Sequence, residues 1–216
     1  MVRVSGCCTP SGCGRFFNRR VAARDARRYR LRGLTESALA LTGLVGNVRG
    51  ASVLDIGGGI GAIELELLDG GAQRATNVEL SPEYEKEACA LLAERGLVGR
   101  VDRRIGDFVA EGDAVEQHDV VVMHRVVCCY PDVDALVGAA AAHARRRMVL
   151  TYPQERRIVR FGGRVLNGFL CLSGASFRTY VHPVEQMVAA ARGNGLELET
   201  RERHGLVWES AAFARG

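Results

Sequence analysis

Three acidic residues stand where successive strands of an open sheet would end: Asp55 before a glycine-rich turn, Glu79 before Leu80, and Asp107 before Phe108. The turn reads Val53-Leu-Asp-Ile-Gly-Gly-Gly-Ile-Gly61, with Gly57, Gly59 and Gly61 at every second position. Glycines are needed where a chain reverses sharply and a ligand must touch backbone. The pattern Gly57-x-Gly59-x-x-Ala62 also satisfies a dinucleotide fingerprint. Asp55 separates the two readings. A carboxylate there would repel a pyrophosphate over the turn, but it would attract the sulfonium and ammonium of S-adenosylmethionine. Glu79, 24 residues after Asp55, can accept from both hydroxyls of a ribose, and Leu80 follows it at the cofactor edge. Asp107 can accept from an adenine amino group while Phe108 packs on the ring.

A second group surrounds the fourth such strand, His118-Asp-Val-Val-Val-Met-His124. His124 sits where ligands meet the carboxyl edge of a sheet, so it is a candidate to face the cofactor or the acceptor. The alternative is a histidine satisfying a local backbone hydrogen bond. Arg125 could hold an anionic acceptor through its planar fork, or pair with an acid of an arm or cap. Cys129 and Tyr130 share that rim and are assigned to the acceptor side, Tyr130 with Pro131 shaping the loop. His182, two residues after Tyr180, is a candidate base or orienter; the competing reading is a helix-start residue before Pro183.

The seven cysteines are an odd number, which argues against a disulfide framework. Cys7-Cys8-x4-Cys13 lacks the usual zinc spacing, and no metal is expected. Cys128 and Cys129 would nevertheless be within reach of an arm folded over the site. Cys89 and Cys171 read as core.

These residues need a scaffold of alternating strands and helices. Helical patterns over 19–31 and 35–46, the second opening with Thr35 as N-cap, precede short apolar strands from residue 51. ASVLDI, RATNVEL, RVDRRIG, HDVVVMH and RRMVLTY are strands. GAIELELLDGG and SPEYEKEACALLAERG are helices, with Ser81 as N-cap of the second. The alternation predicts a doubly wound α/β sheet. Glycines across 153–180 break the rhythm and suggest a cap of short helices over the site. HPVEQMVAAARGNG returns to helix, and LELETRERHG with LVWESAAFAR forms a closing antiparallel pair. The expected organisation is a cysteine- and arginine-rich arm with helices over 1–48 and a cofactor-binding domain over 49–216.

VLDIGGGIG, NVELSP, GDF and HRVVCCYPD, in that order and spacing, resemble class I S-adenosylmethionine-dependent methyltransferases over roughly residues 51–216. Arg125-Val-Val-Cys-Cys-Tyr-Pro131 and Ala175-Ser-Phe-Arg-Thr-Tyr-Val-His182 are similar, more distantly, to magnesium-protoporphyrin O-methyltransferases. The resemblance implies a Rossmann-like sheet of seven strands in the order 3-2-1-4-5-7-6. It implies S-adenosylmethionine as cofactor, methyl transfer as the reaction, and Tyr29 of the arm as a tyrosine over the site. Arg125 and Cys129 replace that family's Asp and His, so its porphyrin substrate is not carried over. A small-molecule acceptor methylated at oxygen is expected.

Composition sets the remaining expectations. Residues 1–33 hold nine arginines against the single acid Asp25. A solvated helical face explains this better than a nucleic-acid surface, because aromatics are not interleaved. A nucleic-acid methyltransferase guided by this arm, or a non-catalytic cofactor- or metal-sensing module, are the alternatives. No apolar run reaches the roughly eighteen residues of a membrane span, so a cytoplasmic location without a membrane partner is expected. Oligomeric state is not legible.

Overall fold

The computed structural model describes residues 16–216, so the Cys7, Cys8 and Cys13 group lies outside the described residues. Seven strands form one sheet: β1 (Ser52–Ile56), β2 (Arg74–Glu79), β3 (Val101–Ile105), β4 (His118–His124), β5 (Ala144–Pro153), β6 (Leu196–His204) and β7 (Trp208–Arg215). Their order is 3-2-1-4-5-7-6, as expected. Strands β1 to β5 pair in parallel, and β7 runs antiparallel to both β5 and β6.

Side-chain alternation divides the core into two layers. Val53, Val120 and Val122 face the layer formed by α1 (Arg19–Arg32), α2 (Glu36–Val45), α3 (Ala62–Asp69) and α4 (Glu85–Glu94). Leu54, Val121 and Met123 face the other, formed by the short α5 (Phe108–Glu111) with α6 (Val133–His143) and α8 (Val184–Arg192). A sheet covered on both faces favours apolar runs such as Val-Val-Val-Met in β4. One helix, α7 (Arg157–Leu172), belongs to neither layer and contains no buried residue.

Local signals explain most boundaries. Thr35 caps α2 as expected, its hydroxyl accepting from the Ala38 amide at 3.1 Å. Asn18 caps α1 by accepting from Arg20 and Val21. Other expectations need correction. Ser81 makes no cap hydrogen bond; a 3-10 turn, Pro82–Tyr84, precedes α4, and the Ser81 hydroxyl donates instead to the Phe17 carbonyl at 2.8 Å. The region 153–180 is not a set of short helices: it is dominated by the single 16-residue α7. Cys89 and Cys171 are exposed, not core. On α4 the inward face is taken by Ala88, Leu91 and Leu92, which leaves Cys89 outside.

Candidate functional site

The carboxyl ends of β1, β2 and β4 border a cavity of about 680 Å³, a volume suited to a small organic ligand. Its wall includes the expected Asp55, Gly57 and Gly59 of the turn, then Glu79, Leu80, Asp107 and Phe108. His124, Arg125, Cys129, Tyr130 and Tyr29 also line it, whereas Gly61 and His182 do not.

The turn after β1 depends on backbone that only glycine adopts easily. Gly57, Gly59 and Gly61 have φ of 66°, 58° and 79°. A Cβ on Gly57 would come within 2.5 Å of Val126. The neighbouring Gly58, which the spacing argument passed over, is equally constrained: its Cβ would meet Asn77 Nδ2 at 2.2 Å and Asp55 Oδ2 at 2.5 Å. The loop therefore lies directly on the Asp55 carboxylate.

Asp55 is 1% exposed and neither of its carboxylate oxygens has a side-chain hydrogen-bond partner among the described residues, only the Glu64 backbone amide bearing weakly on it. Burial and nearby Glu64 push its pKa well above the usual range, against the opposite pull of Arg103. Glu64, at the start of α3, is pushed up to about 7 by burial, with Arg103 again opposing. Glu79 is raised by burial but accepts from the Ser81 and Gly59 amides at 2.8 and 2.9 Å. Asn77 donates to Glu64 at 2.7 Å, and Arg103 reaches Glu64, Glu85 and the Gly59 carbonyl. Three buried carboxylates thus crowd around one guanidinium. They cannot all ionise cheaply without a further positive charge.

The opposite wall is organised by Ser37 of α2. Its hydroxyl lies 2.9 Å from His124 Nε2 and receives Arg125 Nη2 at 2.8 Å. Guanidinium groups only donate, so the serine oxygen accepts from Arg125, and the same hydroxyl also meets Thr35 Oγ1 at 3.3 Å. Burial, with Arg125 and Arg28 adding repulsion, lowers the His124 pKa to about 3. His124 is therefore neutral. Arg125 is the only described non-glycine residue with positive φ, at 60°. This conformation costs an ordinary residue about 1–2 kcal/mol. It places the guanidinium 4.4 Å from the centre of the Trp208 ring.

Tyr130 fixes Asp107. Its hydroxyl is 3.2 Å from each Asp107 oxygen, and Asp107 also caps α5 through the Val109 amide at 3.0 Å. His182 stands off the cavity wall, with Nε2 2.9 Å from the Tyr130 carbonyl oxygen. A carbonyl only accepts, so Nε2 carries the proton and His182 braces the loop. Its geometry is that of an orienter and not of the base also considered for it. Cys128 and Cys129 place their sulfurs 3.5 Å apart, and the Cys128 thiol reaches the Arg125 carbonyl. Among the described residues no group of three or more His, Cys, Asp or Glu could hold a metal ion.

The N-terminal helix closes the remaining side. Phe16 and Phe17 line the cavity and pack on Phe177, with ring centres 4.1 and 5.4 Å away. Tyr29 lines it too, but its hydroxyl donates to Glu66 at 2.6 Å and accepts from Arg95 at 3.1 Å, neither of which is a wall residue. This differs from the catalytic position implied by the resemblance: Tyr29 anchors α1 to α3 and α4. The arginines of the arm have similar duties. Arg19 pairs with Glu83, and Arg30 with Glu87 and Glu94. By contrast, α7 contributes nothing to the wall, so it is not a cap over the site.

Sequence reasoning missed Ser37, Gly58, Glu64 and Arg103. Gly58 was visible in the triple-glycine run. The others meet their site partners across 13 to 88 residues of chain, and no local pattern marks them.

No family model and no curated protein sequence matches the chain. Solved structures do resemble it. A magnesium protoporphyrin IX methyltransferase from Synechocystis with bound SAH aligns at 19% identity and TM-score 0.66, covering 83% of each chain. An O-methyltransferase family protein from Burkholderia thailandensis aligns at 16% identity and TM-score 0.69, covering 91% of this chain and 58% of its own. Geranyl diphosphate C-methyltransferase from Streptomyces coelicolor aligns at 13% identity and TM-score 0.64, covering 83% of this chain and 78% of its own. At these identities the likeness is one of fold, and the fold is that of class I methyltransferases.

Proposed function

We propose that this protein is an S-adenosylmethionine-dependent methyltransferase of the cytoplasm that acts on a small-molecule acceptor, with oxygen as the acceptor atom. The observation that carries the reading is Asp55. A buried carboxylate whose two oxygens have no side-chain partner lines the cavity beneath a glycine turn, beside two further buried carboxylates and a single guanidinium. That site favours a cationic ligand and disfavours a pyrophosphate. The three fold relatives, whose names all denote methyltransferases, agree with it.

The residues fit the cofactor. Asp55 and the Gly57–Gly59 backbone would hold its amino-acid end, Glu79 its ribose, and Asp107 with Phe108 and Leu80 its adenine. When bound it supplies an electrophilic methyl group. The chain must then align the acceptor and exclude water, more than supply acid or base. Phe16, Phe17 and α1 cover the cavity. Arg125 would orient an anionic acceptor, with Cys129 and Tyr130 shaping the pocket beside it. Neutral His124, held by Ser37, would position the acceptor. An oxygen already ionised, as in a carboxylate, would need no base.

Calorimetric titration with S-adenosylhomocysteine tests the proposal. Wild type should bind in the micromolar range, and Asp55→Ala and Glu79→Ala should weaken binding sharply. Binding of NAD without S-adenosylhomocysteine would overturn it.

A further inference from the structure

Helix α7 is the one long element that the fold leaves uncovered. Its rotation of about 100° per residue sorts its side chains into three sectors. Val159, Gly163, Asn167 and Leu170 turn toward the body and are only partly exposed. Asn167 fixes this side by exchanging two 2.8 Å hydrogen bonds with the backbone of Thr179. Away from the body lie Ile158, Phe161, Val165, Phe169 and Leu172, exposed by 70, 67, 43, 68 and 88%. Between these sectors run Arg157, Arg160 and Arg164, and the helix contains no acidic residue. A further exposed apolar residue lies near the start of the helix. Leu206 is 74% exposed, and the next residue, Val207, accepts from the Gln154 amide just before α7.

Five large apolar side chains turned to solvent along one helix need a partner. The charge pattern selects which. A second copy of the chain would set one arginine row against another helix without acids. Arg160 pairs with Glu155 at 2.9 Å, but Arg157 and Arg164 flank it with no acid on the helix; an anionic lipid surface supplies counter-charge to this row, and its acyl region takes the apolar stripe. A phenylalanine- and leucine-rich face flanked by arginines is the signature of a helix lying in the plane of a membrane interface. We propose that α7 docks this protein onto anionic phospholipid bilayers as a peripheral, non-spanning contact. No described helix is long and apolar enough to cross a membrane, which agrees with attachment at the surface. The expectation of no membrane partner rested on the absence of a span and did not address this face.

The full chain should co-sediment with vesicles of phosphatidylcholine and phosphatidylglycerol, more weakly with phosphatidylcholine alone, and less in high salt. The pair Phe161→Ser and Phe169→Ser should lower partitioning at least about tenfold on either lipid. The triple change Arg157→Gln, Arg160→Gln and Arg164→Gln should remove the preference for the anionic lipid. Calorimetry with S-adenosylhomocysteine on the same variants checks that the cavity is intact, and it fails separately if the cofactor reading is wrong. Absence of vesicle binding by wild type would overturn the proposal, as would undiminished binding by the phenylalanine variant. So would a wild-type dimer, seen by light scattering, that the phenylalanine variant dissociates, since a second copy would then occupy the stripe.

Discussion

Ser37 Oγ and His124 Nε2 lie 2.9 Å apart, joining the second helix to the end of the fourth strand at the cavity wall. The same oxygen accepts from Arg125 at 2.8 Å, so one buried hydroxyl serves two site residues. Replacing it leaves two half-buried partners without that bond, which costs more than the bond itself contributes. Ser37→Ala should therefore destabilise the fold by about 1–3 kcal/mol. Urea unfolding followed by circular dichroism measures this. An unchanged midpoint would show that water replaces the hydroxyl.

Tyr130→Phe probes the adenine side. The phenol is 3.2 Å from both Asp107 oxygens, and without it Asp107 keeps only its amide bond to Val109. A carboxylate less well oriented should bind S-adenosylhomocysteine about three- to tenfold more weakly, equivalent to about 0.7–1.4 kcal/mol. Calorimetry with adenosine and S-adenosylhomocysteine in parallel locates the loss. It should appear with both ligands, because both carry the adenine.

The buried acids give stability a pH dependence of defined sign. Glu64 sits at about 7 in the folded protein against an ordinary 4.5, chiefly through burial. Between those values the folded state binds more protons than the unfolded one, so this group's stabilising contribution is lost as pH rises through 7. Asp55 is raised in the same direction. His124 works the other way: at about 3 against 6.5, its contribution is lost as pH falls below 6.5. Wild type superimposes the two trends. Glu64→Gln removes the first, so its stability relative to wild type should rise between about pH 5 and pH 8, with a slope of at most about 1.4 kcal/mol per pH unit. Saturating S-adenosylmethionine should flatten the wild-type curve, because its positive charge favours the ionised acids. Thermal melts across pH, with and without ligand, read both effects.

These residues also show what the sequence could and could not reveal. The alternation of strands and helices and the places of Asp55, Glu79, Asp107, His124 and Arg125 followed from strand ends and glycine turns, because such features are set by a few consecutive residues, whereas the sheet order came from the family resemblance. Ser37 and Arg103 were invisible, since each meets its partners only after distant segments pack. Tyr29 was read from resemblance and His182 from its neighbours Tyr180 and Pro183, and each is held in place by bonds that the local chain does not announce. In α7 the apolar and basic residues were visible, but the glycines pointed to broken helices, and only the packed body shows which face stays uncovered.

Trp208 is the only tryptophan in the chain, and the Arg125 guanidinium lies over its ring at 4.4 Å. Arg125 Nε is buried without a partner, and burial lowers the pKa of the group. An anionic acceptor would offer this guanidinium a stronger partner than the indole or the Ser37 hydroxyl provides. Bidentate binding should draw it off the ring and change Trp208 emission. Titration of the S-adenosylhomocysteine complex with a series of aromatic and aliphatic carboxylates should thus give a saturable fluorescence change for those the pocket accepts. Their methyl esters, lacking the charge, should give none. Arg125→Gln should abolish the response while leaving S-adenosylhomocysteine affinity within about threefold, because the cofactor acids are elsewhere on the wall. If no carboxylate moves the emission of wild type, Arg125 does not receive an acceptor carboxylate. If Arg125→Gln also loses S-adenosylhomocysteine, the residue belongs to the cofactor side of the cavity.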